Sequence, residues 1–372
     1  MRTFLLVVAY DGTNYNGFQR ATATPRDETV SAQQPKRPRT GTEEAVGGGG
    51  KKKRPGTPAA AASHVITVQD RIEVALVRLT GATVSELRVR GAGRTDSGVH
   101  AEGQVVAFDL PDGLERPRGT GQERKGGAQP ELFSDLDVRG GGSGEGADGD
   151  LWRIRRGINS RLPNDISVRS ARILPPPPPG GRPFEPRHDV ATKRYTYRLR
   201  FRKKRYGVDG NTLAICCSGP NTIRRARDPT DIWICPWSLD EGLIRQACQA
   251  LAGRHDFSCF VAKVVRREKD NRIDLRRFDV TLRNDFDEEN CDHGTSGAIP
   301  CDAMFTLEAC GFRRRMVRLL IGFVVDIARG VQCLDDVPKA LDGTDASAKL
   351  VKQAPACGLC LTKVFHKSGS AL

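Results

Sequence analysis

Two long stretches of this chain are too poor in apolar residues to take part in a hydrophobic core. Residues 21–63 contain the runs QQPKRPRT and GGGGKKKRPG, and residues 111–150 contain RGGGSGEGADGD. Segments so rich in glycine, proline and charge cannot bury enough surface to offset the entropy of ordering them. We predict that both are disordered insertions, so the folded part of the chain must be assembled from the segments that flank them.

The segments around the first insertion carry regular apolar patterns. RTFLLVVAY, ELRVRGAG and QVVAFDL have the patterns of strands, and VQDRIEVALVRLTG places its apolar residues on one helical face. Thr67 and Asp70 have the spacing of a capping box at the start of this helix, and Gly81 is its expected end. The first half of the chain therefore predicts the order strand, helix, strand, strand.

The second half of the chain repeats this plan and adds a helix. KRYTYRLRF, RRFDVTLR and AMFTLEACGF are predicted strands. One helix is expected between a capping box of Ser238 and Glu241 and a stop at Gly253. A second, strongly amphipathic helix is expected in RRRMVRLLIGFVVDIARG, where Arg314 and Arg318 lie one helical turn apart.

The proline-rich stretch LPPPPPGGRPFEPRHD is a stiff connector between these two halves. We predict a two-domain α+β fold, with residues 1–174 in one half and residues 187–372 in the other, and antiparallel sheets covered by helices on one face. A doubly wound dinucleotide-binding fold is not expected, because a strand and not a helix follows the glycine-rich turn in GAGRTDSG.

The charge of the chain favours a polyanionic partner. Its 372 residues carry a formal net charge of +14, a surplus that most often indicates nucleic acid, although plain solubility produces the same balance. The runs PKRPR and KKKR fit nuclear import signals, additional RNA contacts or a solvated basic loop. No apolar run is long enough to cross a membrane, so no membrane partner is expected.

The eleven cysteines are scattered along the chain and odd in number. This pattern indicates reduced thiols in a reducing intracellular compartment, with cytoplasm and nucleus both open. Cys357 and Cys360 form a single CxxC pair, whereas a zinc site normally needs a second pair of ligands. Cys291 and His293 are poorly spaced for that role, so we predict no metal site.

The stretch RGAGRTDSGVHAEGQVVAFDL sets Arg94 and Asp96 close together on a glycine-rich turn. Aspartate is a common turn residue, so Asp96 alone fits a turn cap as well as a catalyst. An ionised carboxylate there would act as nucleophile or general base, and the neighbouring Arg94 would favour its ionised form. Taken alone, Tyr195 also fits an ordinary strand core and Arg318 a solvated helix face.

Six segments of the chain follow one another in the order of the motifs of a single enzyme family. They are VVAYDGTNYNGFQR, GRTDSGVHAEGQV, INSRLPNDISV, ATKRYTYRL, FRRRMVRLLIG and APACGLCLTKV. Together they resemble the TruA-type tRNA pseudouridine synthases over most of the chain outside the two insertions.

This resemblance implies a fold, a reaction and a set of site residues. The implied fold has two ferredoxin-like halves with antiparallel sheets and an active-site cleft between them. Asp96 is the implied catalytic aspartate, with Arg94 beside it, Tyr195 in the pocket and Arg318 facing it. The implied reaction isomerises uridine to pseudouridine in the anticodon stem-loop of tRNA, carried out by a homodimer. Because isomerisation is redox-neutral and adds no water, no cofactor is expected.

Two other classes of protein stay open at this point. An RNA-binding protein or tRNA-folding chaperone would keep the same cleft without using it for catalysis. A nucleoside hydrolase or glycosylase would also place a carboxylate at the sugar, but it would release free uracil. The presence of Asp96, Arg94 and Tyr195 together favours the synthase over the first of these.

Overall fold

The computed structural model describes most of the chain outside the two predicted insertions. The described ranges are residues 1–19, 66–111, 146–177, 179–204, 229–262, 270–283, 300–342 and 351–367. The predicted disorder of residues 21–63 and the weak metal candidates Cys291 and His293 lie outside them. Among the helices in these ranges, none has the length and apolar character needed to span a membrane.

Ten strands and seven α-helices are found within the described ranges. The strands are β1 (Arg2–Tyr10), β2 (Arg90–Gly91), β3 (His100–Leu110), β4 (Ile166–Leu174), β5 (Val190–Lys203), β6 (Trp233–Leu239), β7 (Gly253–Asp256), β8 (Arg272–Arg283), β9 (Pro300–Ala309) and β10 (Leu359–His366). The helices are α1 (Val68–Thr80), α2 (Val84–Leu87), α3 (Gly146–Asn159), α4 (Pro186–Asp189), α5 (Glu241–Leu251), α6 (Met316–Ala328) and α7 (Asp336–Ala340). Helix α3 begins four residues before the end predicted for the second insertion.

All ten of these strands belong to one sheet. Its order is β4-β1-β3-β10-β5-β9-β8-β7, with β2 added beside β3 and β6 beside β5. The pairs β10–β3 and β5–β6 are parallel, and the other pairs are antiparallel. The predicted mixture of helices with a mostly antiparallel sheet is confirmed, while the division at residues 174 and 187 stays a prediction.

Strand β10 joins the strands of the two predicted halves. It follows every other described strand in the sequence but lies in the middle of the sheet, between β3 and β5. Cys360 and Leu361 align with the first residues of β3, and Leu361 also aligns with Tyr195 of β5. Leu361 and Val364 are buried, so apolar packing supports the strand pairing. Strand β10 therefore fixes the position of β3 relative to β5.

The segment ELRVR was expected to be a half-buried strand, and this prediction is wrong for its first residues. Helix α2 ends at Leu87, and its capping box joins Thr83 to Glu86. The hydroxyl of Thr83 accepts the Glu86 N–H, and the Glu86 carboxylate accepts the Thr83 N–H. This local pairing satisfies two backbone donors that a helix start would otherwise leave free. Only Arg90 and Gly91 continue as a strand.

The predicted helix boundaries in the second half need two corrections. Ser238 lies in β6, and Asp240 caps α5 instead, because its carboxylate accepts the Leu243 N–H at 2.8 Å. Arg314 is not on α6, since the helix begins only at Met316 after Arg315 takes a left-handed φ of 66°. By contrast, the capping box of α1 and its Gly81 stop are confirmed.

Helix α6 is buried on nearly every side and carries Arg318 near its start. Gly322 on this helix lies against the backbone of residues 352–354, where an added Cβ would approach the Lys352 carbonyl oxygen to 1.9 Å. The same segment is hydrogen-bonded to the helix, because the Ala354 N–H donates to the Arg318 carbonyl at 2.9 Å. The absence of a side chain at Gly322 therefore permits the close contact that positions this part of the chain.

The two ends of the first predicted insertion are held next to each other. The Asn16 N–H donates to the Ile66 carbonyl at 3.0 Å, and the Gln69 N–H donates to the Phe18 carbonyl at 2.9 Å. We expect deletion of residues 21–63 to leave the fold intact, because the remaining residues need only bridge two adjacent backbones. The measurement is the thermal unfolding midpoint, which should stay within a few degrees of that of the full chain.

A longer deletion of residues 21–69 is the control for this prediction. It also removes the Thr67 cap and the backbone partners of Asn16 and Phe18, so its unfolding midpoint should fall clearly. Loss of folding in the shorter deletion would show that residues 21–63 contribute to the core.

Candidate active site

Asp96 lies in a tight turn between β2 and β3. The Val99 N–H donates to the Asp96 carbonyl at 3.2 Å, and Gly98 takes a left-handed φ of 76° that favours glycine. Ser97 Oγ and the Gly98 N–H both donate to the Tyr15 carbonyl, at 3.1 and 3.3 Å. The Asp96 side chain is 27% exposed. The turn is therefore fixed from behind, while its carboxylate remains accessible.

The turn after β1 supports the residue before Asp96. The hydroxyls of Tyr10 and Thr95 are 2.8 Å apart in the core, and the Phe18 N–H donates to the Thr95 carbonyl at 3.2 Å. Gly17 approaches this carbonyl closely with a φ of 88°, and an added Cβ would lie 2.5 Å from the oxygen. The segment YDGTNYNGF thus forms a rigid support for the Asp96 turn.

Two side chains hold the consecutive carbonyls of Ala92 and Gly93, just before Arg94. Lys193 Nζ, from β5, donates to the Ala92 carbonyl at 2.5 Å, and Gln104 Nε2, from β3, donates to the Gly93 carbonyl at 2.9 Å. Lys193 is buried, and this burial together with the charge of Arg187 lowers its pKa to about 8. We call these two contacts the carbonyl clamp. It ties the Asp96 turn to the strand that carries Tyr195.

Arg94 forms no ion pair with Asp96 within the described residues, although the two lie close together in the sequence. Its Nε donates to the side-chain oxygen of Gln19, and Arg187 Nη2 donates to the same oxygen at 2.9 Å. The acceptor lies 75 positions away in the chain, so no local pattern indicated it. Arg94 and Arg187 are both exposed, and their cations stand beside the turn.

Arg314 is the arginine whose ion pair with Asp96 is found in the structure. Its Nε lies 3.9 Å from Asp96 Oδ1, and its side chain is 63% exposed. The left-handed Arg315 ends the turn before α6, so Arg314 projects from that turn and not from the helix face. The apolar pattern of RRRMVRLLIGFVVDIARG predicted Arg314 on a helix and gave no indication of its position at the carboxylate.

Arg318 and Tyr195 lie close enough to Asp96 for its charge to act on both. Burial lowers the pKa of Arg318, and the negative charge of Asp96 opposes that change. Arg318 Nε donates to the Ala354 carbonyl at 2.8 Å, which fixes the guanidinium. Burial raises the pKa of Tyr195, and the charge of Asp96 raises it further. The structure thus brings Asp96, Tyr195 and Arg318 together and leaves Arg94 at the edge of the group.

Tyr195 is held by an aromatic neighbour that the sequence analysis did not identify. Its side chain is 7% exposed, and its ring meets that of Phe312 edge to face with the centroids 5.1 Å apart. Phe312 precedes the arginine run RRR, so the segment between β9 and α6 contributes both an aromatic ring and a cation to the site. The motif FRRRMVRLLIG already contains these residues, but its helical pattern gave no sign of the turn.

Comparisons with known proteins indicate the same family as the sequence motifs. A family model described as tRNA pseudouridine synthase matches residues 247–366. A protein named tRNA pseudouridine synthase A from Oleidesulfovibrio alaskensis is 27% identical over 98% of this chain and 97% of its own length. Proteins of the same name from Exiguobacterium sibiricum and Thermodesulfovibrio yellowstonii are 25% and 27% identical, over 98% and 81% of this chain and 97% and 90% of their own lengths.

The chain is therefore similar to tRNA pseudouridine synthases, through the family model over residues 247–366 and through relatives aligned over nearly its whole length. The resemblance stated from the sequence motifs is thereby confirmed. The segment matched by the family model includes the turn before α6, helix α6 itself and strand β10, and therefore Arg314 and Arg318. The Asp96 turn lies outside this segment, but it falls within the nearly complete alignments to two of these synthases.

The two cysteines of the CxxC pair in this chain have the properties of ordinary thiols. Burial raises the pKa of both Cys357 and Cys360, the latter to about 12, so both thiols hold their protons near neutral pH. In the ranges that the structure covers, no three side chains of histidine, cysteine, aspartate or glutamate come together as a metal site would require.

The carbonyl clamp predicts a pH-dependent contribution to stability. The pKa of Lys193 is about 8 in the folded chain and 10.5 in the unfolded one, so the unfolded chain binds more protons between these values. Stability from this group therefore rises with pH, by about 2 to 3 kcal/mol between pH 7 and pH 10. We expect the free energy of unfolding of the wild type, relative to Lys193→Met, to increase by this amount in denaturant titrations.

Substitution of the exposed Lys363 on β10 serves as the matched control. The difference between the wild type and Lys363→Met should stay constant over the same pH interval. A constant difference for Lys193→Met as well would contradict the burial of its charge.

Proposed function

We propose that the protein converts uridine to pseudouridine in tRNA, with Asp96 as the catalytic residue. The observation that carries this proposal is the ion pair of the Asp96 carboxylate with Arg314, with Tyr195 and Arg318 within reach of its charge, in a chain similar to tRNA pseudouridine synthases. Three separate parts of the chain, joined through β10 and α6, contribute to this one group.

The reaction is balanced without a second reactant. The bond from ribose C1′ to uracil N1 breaks, the base turns, and a bond from C1′ to C5 forms. The C5 proton leaves, and N1 takes up a proton, so the product is an isomer of the substrate. The site therefore has to supply a carboxylate, a surface for the displaced base and a proton path, and no cofactor is part of the proposal.

Asp96 acts at the ribose in this mechanism. An ionised carboxylate serves as a nucleophile at the electron-deficient sugar carbon, or as a base that removes a ribose proton. Arg314 Nε lies 3.9 Å from the carboxylate, and Arg318 lies close enough for its charge and that of Asp96 to interact. The carbonyl clamp and the Thr95 contacts hold the turn before substrate binds, so little reorganisation is needed.

Tyr195 supports the base in the proposed mechanism. Because its pKa is raised by burial, the hydroxyl remains protonated near neutral pH and is available as a hydrogen-bond donor close to C5. The ring is held by Phe312, which suits a stacking surface for a uracil taken out of the RNA stack. Arg94 would fill the space of the displaced base or hold a phosphate, with Gln19 and Arg187 supporting it.

The finer expectations from the family resemblance belong to the same proposal. They are a substrate uridine in the anticodon stem-loop, two ferredoxin-like halves and a cleft between them that carries Asp96 on one side and Tyr195 and Arg318 on the other. The position of Asp96 in the turn before β3 and of Tyr195 on β5, with β3 and β5 on opposite sides of β10, supports such a cleft.

We also propose that the protein works in a reducing compartment inside the cell. All eight cysteines in the described ranges are free thiols, and several are buried. The relatives named above give no support to the reading of KKKR as a nuclear import signal.

Replacement of Asp96 tests the proposed chemistry. We expect Asp96→Asn to abolish pseudouridine formation in tRNA transcripts while tRNA binding changes little, because the amide keeps the shape but neither attacks the sugar nor accepts a proton. Pseudouridine is mapped at single-nucleotide resolution, and free uracil is measured in the same samples. The exposed Asp335 provides the control Asp335→Asn, which should keep full activity.

Each alternative outcome of this experiment has a definite meaning. Turnover by Asp96→Asn would contradict the assignment of this residue. Release of uracil by the wild type would identify a hydrolase, and tRNA binding without any modification by the wild type would contradict the proposed reaction.

A homodimer is expected from the family resemblance. Sedimentation equilibrium of the purified protein should give twice the 40.6 kDa mass of one chain. The mass of a single chain at micromolar concentration would contradict this part of the proposal.

A further inference from the structure

An open cavity of about 540 Å³ lies near α4, and its lining does not include Asp96, Tyr195 or Arg318. Its charged lining comes from three separate parts of the chain: Arg88 and Arg90, the segment around α4, and the end of β10. The charged or titratable side chains are Arg88, Arg90, Arg182, Glu185, His188 and Lys367. We call it the α4 cavity.

Arg90 forms one wall of the α4 cavity, and its charge is already neutralised by a carboxylate. Arg90 donates from Nη1 and Nη2 to the two oxygens of the buried Asp109, at 2.6 and 3.0 Å. It also donates to the Phe184 carbonyl at 3.2 Å, and its Nε lies 3.6 Å from Glu185. This bidentate pair is structural, because it neutralises a carboxylate that is completely inaccessible to water.

The cations that face the opening are less well matched. Arg88 is 52% exposed and lies 3.6 Å from Asp109 Oδ2, an oxygen that Arg90 already holds. Its backbone takes a left-handed φ of 43°, a conformation that costs energy for a side chain other than glycine or asparagine. Lys367 and His188 are exposed as well. The Arg88 guanidinium is therefore half exposed and shares its carboxylate with Arg90.

The overall charge of the α4 cavity suits a single monoanion. Its four permanent cations, two of them Arg90 and Arg182, are opposed by the carboxylates of Asp109, Glu185 and Asp189. One positive charge is left over, and a phosphodiester group carries one negative charge. Guanidinium groups are well suited to such a group because their donors match two of its oxygens at once.

The α4 cavity is connected to the active site through α4 itself. His188 lines the cavity, while the preceding Arg187 donates to Gln19, which also accepts from Arg94. A row of cations therefore runs from the Asp96 turn, across α4, to the α4 cavity. A polyanion bound at Asp96 would have its next phosphates along this row.

We propose that the α4 cavity binds a backbone phosphate of the tRNA, on the strand that continues away from the target uridine, and that Arg88 and Lys367 are its main ligands. This inference rests on the proposed function in taking tRNA as the substrate. It adds the path of the RNA strand across α4 and a second point of attachment away from Asp96, Tyr195 and Arg318.

The test compares tRNA binding by the double variant Arg88→Ala/Lys367→Ala with the wild type over a series of salt concentrations. Loss of this phosphate contact should weaken binding about tenfold or more at low salt and reduce the slope of log K against log salt by about 1. The weaker binding should also appear as a higher KM for tRNA. The matched control, Arg254→Ala/Lys339→Ala, removes two exposed cations from β7 and α7 and should leave the slope unchanged.

A charge-conserving substitution separates binding from structure. The single variant Arg88→Lys, which keeps Lys367, should have most of the salt slope of the wild type, because a phosphate contact needs the charge and not the exact side chain. Equal slopes for the wild type and the double alanine variant would overturn the proposal, as would an equal reduction in the control variant.

A second arm distinguishes RNA from a small anion. Inorganic phosphate, added at constant ionic strength, should weaken tRNA binding more in the wild type than in the double variant, because it competes with the RNA phosphate for the α4 cavity. Phosphate that binds to the wild type and not to the double variant, yet leaves tRNA binding unchanged, would mean that a small anion occupies the cavity, which would overturn RNA as its ligand. Because binding is measured directly, a wild type that binds tRNA in this way but forms no pseudouridine would contradict only the proposed function.

Discussion

The pairing of β10 between β3 and β5 is the constraint on which the rest of the structure depends. The strand that follows the Asp96 turn and the strand that carries Tyr195 do not pair with each other; each pairs with β10. Backbone hydrogen bonds set the register on both sides of β10. The position of the Asp96 turn relative to Tyr195 is therefore set by strand pairing. The carbonyl clamp adds a direct link across the same junction, because Lys193 reaches from β5 to the backbone just before the turn.

The candidate site is supported by buried contacts on the side away from the substrate. Thr95 is held by Tyr10 and Phe18, and the carbonyls of Ala92 and Gly93 by Lys193 and Gln104. A carboxylate on an unsupported loop has no fixed orientation, whereas here four carbonyls in residues 92–96 accept hydrogen bonds from other parts of the structure or from the turn itself. The exposed arginines can then serve the RNA, because the turn does not need them for its own conformation.

The sequence was most informative where a single local interaction decides the structure. The capping box of Thr67 and Asp70, the strand pattern around Tyr195 and the glycine-rich turn at Asp96 each depend on residues within a few positions. The predictions failed where two local signals competed, as for Thr83–Glu86 against the alternation of ELRVR, or where Asp240 and Ser238 both offered a cap. The partners of Arg94, Lys193 and Arg314 are distant in the chain, and no periodicity encodes such contacts.

The order in which the chain is synthesised gives the central position of β10 a further meaning. Strands β3 and β5 leave the ribosome long before residues 359–366, yet the strand that aligns them is made after every other described strand. The two parts of the site can each begin to fold, but they cannot be held in register until that late strand is added. A nascent or prematurely ended chain would therefore possess the Asp96 turn and Tyr195 without an assembled site, and RNA modification would begin only with a nearly finished protein.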